Sequence, residues 1–306
     1  MNNLEVVLHI GMHKTGTSSI QSFLSINYND ILEEDDVLYV KSGRNTDTKH
    51  MHAGHHRLAW STVERYADRK NENLTNKIWK KALEEIEAKN PKKTIISSEF
   101  FWPAKRGEIN KIKDILGGKK VKVIIYVRNQ VNIAKSFYKQ IVKSEEYFRS
   151  IKNMVKKRAW YFDYEKVLKK WTEVFGPKNT DIRIYDRVDG DIVEDFAEAI
   201  GIETEGRREP VQNVSPPDCV VHLLRAVNAA QRIAPSPCKW LFHRARRNIV
   251  AQRQPGKKLS EMMCPILPSH IMSSSNRDWF REETKEMRAR FLEEYVAPED
   301  YHLFDV

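Results

Sequence analysis

The sequence predicts an α/β fold in which helices flank a central parallel sheet, followed by a helical C-terminal extension. Short apolar runs alternate with longer segments of helical periodicity, which is typical of βαβ units. Two runs, KTIISS at residues 93–98 and VKVIIYV at 121–127, are nearly continuous β-branched stretches. Strands buried on both faces of a parallel sheet require such stretches. We expect one domain over residues 1–306, with its core at about 4–230 and a basic helical extension at about 231–306.

Each element follows from a local signal. Apolar runs predict strands at residues 4–10, 37–40, 93–98, 121–127 and 181–185. Periodic segments predict helices from about residue 18, from 215–216 to about 231, and at 56–67, 74–88, 192–200 and 276–295. Gly117 and Gly118 mark the end of a short helix. Asp163 and the pair Gly176 and Pro177 mark the start and the end of another.

The composition excludes several classes of protein. With 41% hydrophobic and 31% charged residues, the chain is neither disordered nor collagen-like. It has no run of 18 consecutive apolar residues, so no transmembrane helix is predicted. The N-terminal segment lacks signal-peptide features, and three cysteines without a CxxC pair argue against a disulfide framework. We therefore expect a cytoplasmic protein, and its formal net charge of +10 favours anionic partners.

Residues 8–24, LHIGMHKTGTSSIQSFL, contain the most informative pattern. An apolar strand leads into a loop with glycines, one lysine and several hydroxyl side chains, and then into an amphipathic helix. Such a turn brings backbone N–H groups and a helix N-terminus together, which suits a phosphate or sulfate group. A Walker A loop needs a lysine directly after its second glycine, whereas Thr17 follows Gly16 here and Lys14 comes earlier. The pattern therefore argues against an ATPase or a kinase.

The segment HKTGTSS resembles the 5′-phosphosulfate loop of sulfotransferases that use 3′-phosphoadenosine 5′-phosphosulfate (PAPS). The resemblance is to bacterial and carbohydrate sulfotransferases and covers roughly residues 4–230, with a weaker match at 276–295. It implies a single α/β domain related to nucleotide kinases, a P-loop-like phosphate site and PAPS as the sulfuryl donor. It also implies that Lys14 contacts the sulfate and the leaving phosphate oxygen. The 5′-phosphate would be held by Thr15, Gly16, Thr17, Ser18 and Ser19.

A second, distant pattern has the layout of the family's 3′-phosphate motif. The strand VKVIIYV ends in Arg128, and Ser136 follows eight residues later in a predicted helix. An arginine at the carboxyl end of a strand offers a fork of donors to a phosphate. The resemblance therefore assigns Arg128 and Ser136 to the 3′-phosphate.

Sulfuryl transfer to a hydroxyl needs a base, and two residues are candidates. His55 follows a polar, His-rich loop, and imidazole has an unperturbed pKa near 6.5, which suits a base at neutral pH. Glu99 ends the strand KTIISSE, and parallel sheets bind ligands at the carboxyl ends of their strands. The choice between them stays open. No metal is required in principle, and no convincing metal-ligand spacing is present, including among the histidines at 50–56.

The acceptor and the rival functions complete the expectations. The run Arg-Lys-Gly-x-x-Gly-Asp-Trp of cytosolic animal sulfotransferases is absent from the sequence, which favours a carbohydrate or glycolipid hydroxyl over a phenol or steroid. Residues 239–258 are basic and partly amphipathic, so they are candidates for contact with an acidic glycan or with an anionic membrane, at its inner face. A kinase-like phosphotransferase and a non-catalytic basic module that binds membrane or nucleic acid are the alternatives. No recognisable nucleic-acid-binding motif supports the latter, and no nucleic-acid partner is expected.

Overall fold

The computed structural model describes residues 4–44, 53–69, 75–210, 217–251, 268 and 270–305. They belong to two compact units. The first unit consists of Met1–Arg128, Asp163–Gln212 and Arg290–Leu303, and the second of Asn129–Phe162, Asn213–Ala289 and Phe304–Val306. One domain over the whole chain stays a prediction.

The first unit contains a sheet that, within the described residues, has five strands, all paired in parallel. Its order is β2-β3-β1-β4-β5, with the bounds β1 Glu5–His9, β2 Val37–Tyr39, β3 Lys93–Ser97, β4 Lys120–Val127 and β5 Thr180–Ile184. The central strand β1 is buried at four of its five positions, whereas every residue of the edge strand β5 is half-buried. The order places β1 where successive connections change direction, and open α/β sheets bind ligands at such a point.

The helices follow the sequence pattern in chain order. Their bounds are α1 Thr17–Ile26, α2 Tyr28–Glu34, α3 His56–Thr62, α4 Thr75–Lys89, α5 Arg106–Ile115, α6 Gln130–Ser144, α7 Ile151–Lys157, α8 Tyr164–Phe175, α9 Ile192–Ile200, α10 Asp218–Ile233, α11 Lys239–Ala251 and α12 Ser274–Tyr295. In the first unit, α1 contacts α2 and α9, while α5 contacts α3 and α8. The second unit contains α6, α7, α10, α11 and the first part of α12. The prediction of helices around a parallel sheet, with a helical C-terminal region, is confirmed.

Most predicted boundaries agree with the structure to within a few residues. Gly117 and Gly118 follow α5 with positive φ values of 63° and 74°, and Gly201 closes α9 with a φ of 70°. Asp163 precedes α8 as predicted, but its side chain does not cap the helix and instead lies 2.8 Å from the Lys166 ammonium.

One boundary prediction is wrong, and another is not tested. The helix expected at 56–67 ends at Thr62, because Val63 is extended, and a 3₁₀ turn at Glu64–Arg69 follows. The start expected at 215–216 lies outside the described residues.

The sequence argued against a disulfide framework and against a transmembrane helix, and the structure bears on both. Cys219 on α10 is disulfide-bonded, contrary to the inference from the odd cysteine count, while Cys238 is free and exposed. In the described part of the chain, none of the helices combines the length and the apolar character that crossing a membrane requires.

Candidate active site

The carboxyl ends of three neighbouring strands form the edge on which the site is built. His9 ends β1 and pairs in register with Ser97, which ends β3. On the other side of β1, Arg128 directly follows β4. Parallel pairing therefore brings the loop after β1 to the same edge as Glu99 and Arg128.

The loop between β1 and α1, residues 10–16, has a constrained backbone. Lys14 has a φ of 71° and Gly16 a φ of 74°, both in the left-handed region. Only glycine adopts this region without cost, so Lys14 is strained by roughly 1–2 kcal/mol, as is common at functional sites. A Cβ on Gly16 would lie 2.7 Å from Ile192 Cγ2, so the packing of the loop also requires glycine there.

The start of α1 is open to an anion. Gly16 occupies the N-cap position, and no side chain caps the helix. The first N–H groups of an α-helix have no partner within the helix and carry partial positive charge. Thr17 and Ser18 begin this ten-residue helix, and Ser18 is exposed. The Thr15 hydroxyl instead donates to the Met12 carbonyl at 2.7 Å, which closes the turn.

Arg128 is fixed against this loop. Its Nη1 donates to the Lys14 carbonyl at 3.0 Å, its Nε lies 3.5 Å from an Asp186 carboxylate oxygen, and its guanidinium stacks on Tyr185 at 4.6 Å. Arg128 therefore supports the strained backbone at Lys14. Ser136, the residue paired with Arg128 in the sequence prediction, lies half-buried on α6 in the second unit.

Glu99 lies beside the same loop. Its carboxylate is 3.8 Å from His13 Nδ1 on one side and 3.8 Å from His56 Nδ1 on the other. Burial alone would raise the pKa of Glu99. The charges of His56 and His13, its own backbone N–H and the Gln21 amide outweigh burial and lower this pKa to about 2. The side chain is therefore an ionised carboxylate, 13% exposed, between two imidazoles.

Buried hydrogen bonds join the loop helix to the end of β3. The Gln21 side-chain amide on α1 donates to Ser97 Oγ at 3.1 Å and to Glu99 Oε2 at 3.2 Å. Ser97 Oγ also hydrogen-bonds with His9 Nδ1 at 2.8 Å. Burial lowers the pKa of His9 to about 4, although the charge of Glu99 raises it, so its ring is neutral at pH 7.

His55 occupies a different environment from Glu99. Its Nδ1 accepts from the Ser97 N–H at 3.0 Å, and its Nε2 donates to the Val40 carbonyl at 2.6 Å. Burial and the Arg44 guanidinium lower the pKa of His55 to about 3, although backbone hydrogen bonds raise it. Both ring nitrogens are engaged and the side chain is fully buried, so this imidazole joins the ends of β2 and β3.

An aromatic cluster surrounds Phe100, the residue after Glu99. Its ring makes edge contacts with His13 at 5.3 Å, His56 at 4.8 Å, Trp60 at 5.4 Å and Tyr66 at 5.0 Å. Phe100, Trp60 and Tyr66 are all partly exposed. The carboxylate therefore has a partly exposed aromatic wall beside it.

The structure brings most of the predicted site residues to one edge of the sheet. The loop residues Lys14–Ser19, Arg128 and Glu99 lie there, whereas His55 is buried in the core. Sequence reasoning missed His9, His13, His56 and Gln21. His13 and His56 are neighbours of Lys14 and His55 in the chain, but which histidine faces Glu99 depends on the pairing of β1 with β3.

Among the described residues, no group of three or more His, Cys, Asp or Glu side chains is arranged to hold a metal ion. His50 and His52, part of the His-rich loop, lie outside those residues.

Comparison with known proteins gives limited similarity. No family model matches the chain. A region of 153 residues, 48% of the chain, is 33% identical to an uncharacterised protein of Archaeoglobus fulgidus. The region covers 41% of that protein, so the chain spans about two fifths of the length of this relative. The structure is similar to that of a sulfotransferase from Alicyclobacillus acidocaldarius, with 14% identity, 80% of this chain and 95% of that chain covered, and a TM-score of 0.45.

The two buried imidazoles predict a pH-dependent free energy of unfolding. The pKa of an unfolded-chain imidazole is near 6.5, whereas folding lowers it to about 4 for His9 and about 3 for His55. Below pH 6.5 the unfolded chain binds more protons, so this stability is complete above 6.5 and is lost as the pH falls towards those values. Each group contributes a slope of up to about 1.4 kcal/mol per pH unit.

Urea unfolding between about pH 5 and pH 7.5 measures this slope. His9→Gln and His55→Gln should each make the free energy of unfolding less dependent on pH. His302→Gln, at an exposed position, should keep the wild-type slope. Wild-type slopes in both buried-site variants would contradict the prediction.

Proposed function

We propose that this protein is a PAPS-dependent sulfotransferase that transfers a sulfuryl group to a hydroxyl of a carbohydrate or glycolipid. The observation that carries the proposal is the uncapped start of α1 after a loop in which Lys14 is strained and His13 lies 3.8 Å from the ionised Glu99. This arrangement provides an anion site and a proton acceptor at one edge of the sheet. The resemblance of HKTGTSS to a 5′-phosphosulfate loop supports PAPS as the source of this anion.

The donor side of the reaction depends on residues 14–19. The N–H groups at the start of α1 and the hydroxyls of Thr17, Ser18 and Ser19 would hold the 5′-phosphosulfate. The Lys14 ammonium would stabilise the negative charge that builds on the leaving phosphate oxygen as its bond to sulfur breaks. Arg128 and Ser136 would bind the 3′-phosphate, an assignment that rests on the sequence motif.

The acceptor side depends on Glu99. As the hydroxyl oxygen forms its bond to sulfur, its proton passes to Glu99 or to an adjacent imidazole of His13 or His56. We favour this cluster over His55 because both ring nitrogens of His55 are already hydrogen-bonded in the core. A carboxylate with a pKa near 2 is ionised at neutral pH but is a weak base. An imidazole of His13 or His56 accepts the proton only in its uncharged form, in which its charge no longer lowers the pKa of Glu99.

The aromatic cluster around Phe100 supports a ring-shaped acceptor. Trp60 and Tyr66 are partly exposed next to Phe100, and aromatic rings suit the apolar faces of sugar rings. Trp79 and Trp102, by contrast, are buried in the core. A cytoplasmic location stays an expectation from the sequence.

Calorimetric titration of adenosine 3′,5′-bisphosphate, the desulfated product of PAPS, tests the proposed donor. We expect tight binding without metal and weak binding of Mg-ATP. Lys14→Ala should weaken bisphosphate binding by about 10- to 100-fold, because it removes a charge-assisted hydrogen bond. Lys92→Ala, at an 83% exposed position before β3, serves as the control. Preference for Mg-ATP would instead indicate a phosphotransferase, and binding of neither nucleotide a non-catalytic module.

Arg128→Ala tests the 3′-phosphate assignment. Because Arg128 also supports the Lys14 carbonyl, the variant should weaken every nucleotide somewhat. The affinity for the bisphosphate should fall about tenfold further than that for adenosine 5′-phosphosulfate, which lacks the 3′-phosphate. Ser136→Ala should show the same preference with a smaller loss. Equal losses for both ligands would refute the assignment.

The pH profile of Glu99→Gln identifies the proton acceptor. The variant should lower kcat by about 100-fold or more while bisphosphate affinity is kept. In the wild type, a fall in kcat/KM below about pH 6–7 would indicate that an imidazole accepts the proton. A kcat/KM that stays constant down to about pH 5 would indicate that Glu99 accepts it. His55→Gln should reduce stability more than kcat per folded molecule. A normal kcat in Glu99→Gln would exclude this role for Glu99.

A further inference from the structure

A corner of the second unit exposes large apolar side chains to solvent. Among the described residues, the exposed large hydrophobics are Ile233 at 86%, Trp240 at 56%, Leu241 at 50% and, in the first unit, Ile26 at 37%. The first three lie where α10 ends, a 3₁₀ turn at Ser236–Cys238 follows and α11 begins. We call residues 233–247 the apolar–basic tip. Three large apolar groups within nine residues are unusual on a surface exposed only to water.

Helix α11 continues this corner with positive charge. Arg244 and Arg247 follow Trp240 one and two turns later, so the three share one face of the helix, and all are exposed. The opposite face carries Phe242 and Ile249, which are half-buried against the unit.

Arg246 lies on the inner face with Phe242 and Ile249. It donates to the Lys143 carbonyl and lies 3.4 Å from a Glu146 carboxylate oxygen. The outer cations are therefore separate from the one that fixes the helix.

The charge around the tip has a single sign over a long stretch. Residues 219–260 contain nine Lys and Arg and no Asp or Glu. The acidic side chain described against α11, that of Glu146, is partnered by Arg246. The tip therefore attracts a polyanionic surface rather than a single small anion.

We propose that the apolar–basic tip docks on an anionic lipid bilayer. Trp240 belongs at a membrane–water interface, and Ile233 and Leu241 gain free energy when they leave water for the acyl region. Arg244 and Arg247 are attracted to anionic headgroups at the same depth. A nucleic acid would pair with the cations but would leave the aliphatic side chains in water, so the bilayer explains both features. The proposal does not depend on the sulfotransferase activity.

Vesicle binding of the full chain tests the proposal. The probes are phosphatidylcholine vesicles with about 30 mol % phosphatidylserine, and pure phosphatidylcholine vesicles as comparison. A polarity-sensitive fluorophore on Cys238, which is free, exposed and within the tip, should report transfer to an apolar environment only with the anionic vesicles. Co-sedimentation should show the same selectivity and should weaken as salt is raised.

Two double variants separate the apolar and the electrostatic contributions to vesicle affinity. Trp240→Ser with Leu241→Ser should reduce affinity for the anionic vesicles by about tenfold or more. Arg244→Gln with Arg247→Gln should reduce it by about thirtyfold. These positions are exposed, so circular dichroism should show an unchanged fold.

Matched controls lie in the first unit. Ile26→Ser removes an exposed apolar group, and Lys80→Gln with Lys92→Gln removes two exposed cations, so both should bind vesicles like the wild type. Wild-type vesicle affinity in the Trp240 and Leu241 variant would overturn the proposal. Equal binding to neutral and anionic vesicles would also overturn it. A mixed-sequence RNA that competes with the vesicles, and binds the Trp240 and Leu241 variant as well as the wild type, would overturn it in favour of a nucleic acid.

Discussion

The two halves of the candidate site are held together by the side-chain amide of Gln21. It is buried on α1 and donates both of its N–H groups to the end of β3, one to Ser97 and one to Glu99. Since α1 starts directly after the loop of residues 10–16, this amide fixes the distance between that loop and the carboxylate. Reactions in which two groups meet in line depend strongly on such fixed distances.

Burial decides which histidine takes part in this arrangement. His55 and His56 are adjacent in the chain, yet the ring of His55 is bonded to the backbone of β3 and of Val40, while His56 lies against Glu99. Desolvation keeps the His55 imidazole neutral and hydrogen-bonded, which suits a structural role. Glu99 keeps its charge despite burial because imidazoles lie on both sides of it. Burial disfavours the charged form of both groups, and their neighbours decide the result: His55 stays neutral, whereas Glu99 stays ionised.

The fold could be predicted from the sequence because its signals are local. The β-branched runs that became β3 and β4, and the glycines that close α5 and α9, each depend on a few adjacent residues. The loop was predictable for the same reason. The cluster around Glu99 was not, because His13, His56 and Gln21 meet only through the pairing of β1 with β3 and the packing of α1. Likewise, the helical pattern after residue 56 did not reveal that Val63 is extended.

The position of Arg128 shows how the sheet and the loop depend on each other. Lys14 adopts a backbone conformation that L residues disfavour. If this loop became ordered only when a ligand bound, the free-energy cost of ordering it would reduce the affinity. Arg128 supports the Lys14 carbonyl from the end of β4, and its own orientation is set by Asp186 and Tyr185 beyond β5. Residues after β4 and β5, the two strands next to β1 on one side of the sheet, thus hold the loop in place. Its shape therefore depends on the strand order β1-β4-β5, so the fold already holds in place the loop that we propose as the anion site.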